Sequence, residues 1–487
     1  MKDNAVIKKI CSEVKSFLTV ASDIKEEAYL FLFTLYILVY FIINIEWSES
    51  IRSVISNFRY ALLGIVMWGA TLYLIYFLAV WKKLWNRIPC LIIVALPLLA
   101  ATVYFSQKMS TNSYGVVMDI FFCVMACGKS FRKILQCTLC VAIVMLFIAG
   151  IGVPLGFTLD LIKPDNIHPG HSLGIIYPNT WGDLVYLALI ILWYLYLRNK
   201  PLITFAIFWP AGAFMYIYIY SRTMAIFSMI FPVAAVIIDA FERKYKQKAG
   251  VFLIDRSDGN VGAVNNGKNE KYTQEKIGLR QDKLSQEQDE CKISEIIEER
   301  TDVKTHICPL GWIVVAIPFL SLIFVIFVSM QMEWIHNTFY YTWFHNFAMR
   351  FVQGGFYLKK YGMPLLGNPY RGDTQTYMYI NGEYLALGNL DSAFVSYIIM
   401  RGMVWIVYTL LWLCIANWKA LKVKDYAIPF LSTAILLFAM MERIGLEMWY
   451  NFILLYPLAR VSDVADINED WSMKMLKYLP LKFTKKG

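Results

Sequence analysis

PLITFAIFWPAGAFMYIYIY (201–220), SRT (221–223) and MAIFSMIFPVAAVIIDAF (224–241) follow one another in the chain: two long apolar runs parted by three polar residues. A helix needs about 20 apolar residues to cross the hydrocarbon core of a bilayer, and each run approaches that length. Ser221, Arg222 and Thr223 are therefore expected to turn at a membrane surface. A guanidinium there is costly unless it faces water, protein or an anion. Its rigid fork of donors matches phosphate oxygens better than any other side chain.

The rest of the chain follows the same pattern. It is 58% hydrophobic, 16% aromatic and 17% charged over 487 residues, against about a quarter charged for a soluble domain. Apolar blocks at roughly 28–45, 60–80, 88–105, 114–127, 134–157, 182–197, 201–220, 223–241, 309–330, 392–417, 426–440 and 446–460 predict an all-α polytopic membrane protein of about twelve spans. Residues 1–27 are too polar for a cleaved leader. With the N-terminus inside and the spans alternating, most of the 46 Lys+Arg fall in the internal segments, which sets both termini in the cytoplasm. The net charge of +10 is then a positive-inside excess facing anionic lipid heads and implies no nucleic acid. None of the nine cysteines falls in an external loop. Cys123 with Cys127 and Cys137 with Cys140 read as small apolar residues in packed helices, so no metal is expected.

Three segments interrupt the spans. Residues 158–181 form an external loop within the block of eight spans over 28–241. Residues 242–308 form a cytoplasmic loop whose Gly- and Asn-rich stretch 255–267 is expected to be disordered, with a polar helix over 271–300. After the ninth span (309–330), residues 331–390 form a large external cap, and 391–460 carry the last three spans before a cytoplasmic tail over 461–487. Within the cap, 343–360 reads as an amphipathic helix. Asn346, Arg350, Gln353 and Tyr357 share one face; Phe344, Ala348, Phe351, Gly355 and Leu358 share the other, expected to lie on the membrane.

On this topology His168, His171, Asn179, Asp183, Arg222, His336, His345, Arg350, Arg371 and Asp391 all face outward. Two or three arginines beside apolar spans suit an anionic lipid headgroup such as a pyrophosphate, and aromatic residues suit sugar rings. Each has a plainer reading. Arg222 and Arg350 can anchor to lipid headgroups, Asp391 can cap the helix that follows, and the histidines can be ordinary loop or structural residues. Asp119, Arg401, Glu442, Arg443 and Glu447 read as internal ion pairs or helix-packing groups. The chain has no P-loop, dinucleotide fingerprint, HExxH or GxSxG. An enzyme of this kind would use a substrate that carries its own leaving group.

Four short motifs in order resemble the Wzy-type polysaccharide polymerases, which are related to the O-antigen ligases. His171-Ser172-Leu173-Gly174-Ile175-Ile176-Tyr177-Pro178-Asn179-Thr180 resembles the family's "G-aromatic-x-x-N" external loop. Tyr220-Ser221-Arg222-Thr223 resembles its "SRT/SRS" turn. Arg350 followed by Gly362-Met363-Pro364-Leu365-Leu366-Gly367 resembles its "R … P-L-x-G" segment, and Leu390-Asp391-Ser392-Ala393-Phe394 running on to Arg401-Gly402 resembles its "D/H-N-x-Y-L … G" segment. Together they cover roughly residues 170–415.

The resemblance implies a metal- and cofactor-independent glycosyl transfer at the outer face of a bacterial plasma membrane. The donor is a growing glycan on undecaprenyl pyrophosphate and the acceptor is one repeat unit on the same lipid. A chain-length regulator and a flippase are further implied partners. Arg222, Arg350 and Arg371 would hold the pyrophosphate; Asn179, Ser221 and Tyr220 would line the substrate site. The ligases carry a histidine where this chain has Asp391, so Asp391, His345 and His171 compete for the role of base. A ligase attaching finished glycan, a lipid-linked oligosaccharide flippase and a membrane scaffold are the alternative readings.

Overall fold

The computed structural model describes residues 26–81, 113–126, 128–163, 170–257, 309–339, 345–368, 376–380, 383–387 and 390–461. The chain is mostly helical. Among the described residues, seven helices are long and apolar enough to cross a membrane. They are α1 (Glu26–Ile43), α4 (Phe131–Gly152), α5 (Pro178–Leu192) and α6 (Pro201–Phe214) each taken with its π-helical end, the Arg222–Glu242 part of α7 (Arg222–Ser257), α8 (Pro309–Met330) and α12 (Met403–Lys422). Both α5 and α6 finish in a π-helical turn, Trp193–Leu197 and Met215–Ile219. Helices α2 (Glu49–Trp81), α3 (Ser113–Met125), α9 (Met332–Phe339), α10 (His345–Tyr361), α11 (Ala393–Met400) and α13 (Ala427–Met441) complete the set. Two short antiparallel hairpins pair β1 (Ile162–Lys163) with β2 (Gly170–His171), and β3 (Thr376–Ile380) with β4 (Glu383–Leu387). Large apolar side chains such as Trp68, Phe147, Leu202, Ile217 and Phe327 stand exposed on the helices. Exposed apolar surface on that scale belongs in lipid rather than in water, and the chain is an all-α membrane protein.

Several expected segments take a different form. The apolar block 392–417 is two helices, not one. The chain breaks at Arg401-Gly402, where Gly402 has φ +91°. A side chain at Gly402 would sit 2.3 Å from the Leu365 carbonyl oxygen, and one at Gly367 would sit 2.4 Å from that of Met400. The Gly362–Gly367 segment thus docks directly on the break, with Met403 and Val404 N–H donating to the carbonyls of Pro364 and Leu365. The block 446–460 is not a helix but an irregular crossing with 3-10 turns at Arg443–Leu446 and Phe452–Leu455. Non-helical backbone at membrane depth survives only where protein satisfies it. Here Lys419 Nζ donates to the carbonyls of Tyr456, Pro457 and Ala459 at 3.0, 3.1 and 2.6 Å.

Helix α10 forms where the amphipathic pattern places it, but it does not lie on a surface. Phe351, Val352, Gln353, Gly354 and Gly355 are all buried, as are Tyr357 and Leu358. The physical reason is Gly355, whose Cβ would fall 2.0 Å from the Ser329 carbonyl oxygen. Without a side chain there, the helix backbone settles against α8. Helix α7 continues through the start of the expected cytoplasmic loop to Ser257. The span expected over 88–105, the polar helix over 271–300 and most of both terminal segments lie outside the described residues.

Helix direction sorts the charges onto two ends of the bundle. Arg198 closes the α5 unit, Glu242 lies far along α7, and Asp425 joins α12 to α13; Arg198 contacts both carboxylates. About 1.5 Å of rise per residue carries α5 back to Asp183, α7 back to Arg222 and α13 forward to Glu442, which therefore share the opposite end.

Candidate functional site

The Ser221–Thr223 turn is built by the π-helical end of α6. Tyr220 takes a left-handed conformation with φ +62°, unusual for a side-chain-bearing residue, and Ser221 N–H donates to the Met215 carbonyl at 3.0 Å. Ser221 is buried and packs on α5 at Gly182, where a Cβ would lie 2.3 Å from its Oγ. Arg222 is exposed, with its guanidinium 4.2 Å from the centre of the Tyr220 ring. Among the described residues it pairs with no carboxylate. A cation held only by a ring face is available to an anion.

Arg350 presents the opposite case. Helix α10 brings it onto Asp391, just ahead of α11, in a direct ion pair. Its second nitrogen lies 3.9 Å from Glu442, the residue that ends α13. Burial pushes the Glu442 carboxyl up to about 7, with the Arg350 charge pulling the other way. Asp183, one residue from the Gly182–Ser221 contact, interacts electrostatically with both Glu442 and Arg350. It is buried, and its Oδ1 has no hydrogen-bond partner. One guanidinium therefore serves three carboxylates.

His171 lies on the β1–β2 hairpin. Its Nδ1 is 2.6 Å from Asp160 Oδ2, and its ring stacks on Tyr218 of the α6 π-turn with centroids 4.4 Å apart. Burial resists the Asp160 charge, but the His171 contact and the Leu173 N–H at 2.9 Å hold its carboxyl below the usual range. This pair anchors the hairpin to the same end of the bundle as the Arg222 turn. Asn179 stands exposed in the first turn of α5.

The structure thus gathers His171, Asn179, Tyr220, Ser221, Arg222, Arg350 and Asp391 at one end of the bundle. His345 opens α10, but its side chain lies outside the described residues, as do Arg371 and His168. His336 is buried on α9. Two residues to which the sequence assigns no chemical role join the cluster. Glu442 reads there as an internal ion-pair or packing group, and Asp183 only as one of the outward-facing polar residues. The available signal was their shared position at the same ends of helices as Arg222 and Asp391.

Below this end lies an apolar cleft of about 440 Å³ between α7, α8 and α13, lined by Phe227, Ile317, Leu320, Ser321, Phe324, Leu437 and Met440. Leu320, Phe324 and Leu437 are about half exposed, so the cleft opens on the lipid-facing side. Phe227 follows Arg222 by little more than one helical turn, and Met440 immediately precedes the Met441-Glu442 end of α13. No family model, no curated protein and no solved structure matches this chain.

Proposed function

We propose that the protein is a polymerase that joins polyprenyl-pyrophosphate-linked oligosaccharide repeat units at the outer face of a bacterial plasma membrane. The observation that carries this reading is the meeting of an uncommitted arginine, an arginine–carboxylate cluster and an apolar cleft at one end of a membrane bundle. A lipid pyrophosphate sugar has the matching parts: an isoprenoid tail for the cleft, a dianionic leaving group for arginines, and hydroxyls for carboxylates. The order of the motifs resembling the Wzy-type polymerases supports the same reading. So does the docking of the Gly362–Gly367 segment on Arg401-Gly402, which joins two of those motifs in space.

In the transfer, an acceptor hydroxyl attacks the donor's anomeric carbon and undecaprenyl pyrophosphate departs. Arg222 is the first holder of the departing pyrophosphate, because among the described residues no carboxylate competes for it. Arg350 engages once the pyrophosphate displaces Asp391, and Arg371 is a third candidate. Fixed positive charge aimed at a developing anion is worth most where water is excluded. Asn179 and Tyr220 border the turn and would orient sugar hydroxyls.

The test is the glycan ladder made by cells carrying Arg222→Ala. Long chains should vanish while single-repeat lipid-linked products remain and the protein stays in the membrane at its normal level. Arg222→Lys should also be impaired, since a point charge does not reproduce a forked contact. A normal ladder in Arg222→Ala would overturn the assignment. Unchanged polymer with loss of transfer to a separate final acceptor would favour the ligase reading.

A further inference from the structure

The three carboxylates around Arg350 are not equivalent, and their placement points to a proton site that the motif reading did not contain. Helices α5 and α13 run antiparallel and touch where Tyr186 meets Phe438, ring centroids 6.3 Å apart. One helical turn beyond that contact, toward the shared end, α5 carries Asp183 and α13 gives way to Glu442. Tyr450 stacks on Phe438 at 4.5 Å and closes the space from the irregular crossing. The groups that act on Glu442 are Arg350 from α10, Asp183 from α5 and Tyr450 from the irregular crossing, with Asp391 on the same guanidinium.

Arg350 is the one cation in this set, and Asp391 is in direct contact with it. Glu442 stands 3.9 Å from the guanidinium, while Asp183 has a buried Oδ1 without a partner. Two neighbouring buried carboxylates do not both ionise, because like charges at low dielectric repel strongly. Such a pair retains one proton and titrates as a unit. Its proton belongs on Asp183, which has no hydrogen bond to stabilise a charge at Oδ1. The charge belongs on Glu442, which has Arg350 beside it.

We propose that Glu442 is the group that takes the acceptor hydroxyl proton, with Asp183 as the protonated partner that positions and tunes it. The assignment rests on the glycosyl-transfer reading above. In the step, the acceptor O–H bond breaks and its proton passes to the Glu442 carboxylate. The oxygen's electron pair forms the new bond to the anomeric carbon. The bond from that carbon to the pyrophosphate oxygen breaks, and its electron pair leaves on the pyrophosphate at Arg222 and Arg350. Glu442 then returns the proton to water. Asp391, neutralised by its contact with Arg350, is the weaker base.

The experiment uses the full chain in right-side-out membrane vesicles from cells that make their own lipid-linked repeat unit, and follows the rate of ladder growth from acid to alkaline pH. Wild-type rate should rise as Glu442 loses its proton. Glu442→Gln should lose about 100-fold to 10,000-fold, the usual contribution of a general base, and lose the acidic limb as well. Glu442→Asp should recover part of the rate with its acidic limb present, which separates a chemical role from a folding defect. Asp183→Asn is a neutral copy of the protonated carboxyl and should keep the acidic limb and stay within about tenfold of the wild-type rate. Retention of rate and limb in Glu442→Gln, or loss of the limb only in Asp391→Asn, would overturn the proposal. A wild-type chain that lengthens no glycan in these vesicles would instead overturn the polymerase reading.

Discussion

Two arginine clusters stand at opposite ends of the bundle, and they differ in how far they open to water. At one end Arg198 contacts Glu242 and lies 3.2 Å from Asp425, which also accepts a hydrogen bond from the Tyr194 hydroxyl at 2.7 Å. Side-chain exposures there are 7%, 8% and 10%, so the network is closed to water. At the other end Arg350, Asp391 and Glu442 are 19%, 28% and 11% exposed, and Asp183 beside them has an oxygen with no partner. The first cluster ties α5, α7 and the α12–α13 connection together. The second is partly open, carries more carboxylates than its cation can serve and sits above an apolar cleft. A network that only ties helices together can be sealed from water, whereas one that meets a ligand needs an opening.

The largest expected effect tests that difference directly. Arg198→Ala removes the cation shared by two buried carboxylates, which costs about 3–5 kcal/mol and should deplete the folded protein in membranes. Arg350→Ala should abolish glycan lengthening at a smaller cost in folded protein, because Asp391 is open to water and the buried carboxylates beside it can hold protons. Thermal unfolding in detergent, read alongside the glycan ladder, checks both. Equal loss of folded protein in the two variants would make the Arg350 cluster a second structural staple.

A smaller effect is expected at Asp391. If its role is to hold the Arg350 guanidinium until the pyrophosphate arrives, Asp391→Asn should slow ladder growth about tenfold and tighten donor binding, because a competing charge is gone. A rate loss as deep as that of Glu442→Gln would return the proton to Asp391. Both quantities can be read from the dependence of ladder growth on donor density in the vesicles.

The smallest effect is on stability against pH. The Glu442 carboxyl lies near 7 in the folded protein and near 4.5 when exposed, so folding takes up a proton between those values. The stability this contributes is fully present below about 4.5 and is lost as pH rises through about 7. The wild-type melting temperature should therefore fall from pH 5.5 to pH 8, and the fall should be smaller in Glu442→Gln. An identical slope in the variant would remove Glu442 as the titrating group.

Much of this architecture was legible in the residues. Runs such as 134–157 and 309–330 form helices because their apolar length leaves the backbone no partner but itself in lipid. Arg222 was legible as the polar point between two such runs. The break at Arg401-Gly402 was not, because 392–417 is apolar on both sides of it and apolarity reports the surroundings rather than the backbone path. The same holds for 446–460, where Lys419 supplies from another helix the hydrogen bonds that a helix would have made for itself. The burial of α10 was hidden too, since its amphipathic pattern fits a lipid surface as well as a packed interface until Gly355 meets Ser329.

By itself the sequence determined that this chain resides in a membrane, where its polar turns fall and which arginines sit at helix ends, because hydrophobic length and charge are local properties. Only the tertiary structure decided which charges meet. Asp183 and Glu442 are separated by most of the chain and share a site because α5 and α13 pack antiparallel. Among the described residues Arg350 is committed to carboxylates while Arg222 is not, because α10 packs into the bundle and Arg222 stays exposed at the turn. Electrostatic roles follow from distance in space, and distance in space is what packing sets.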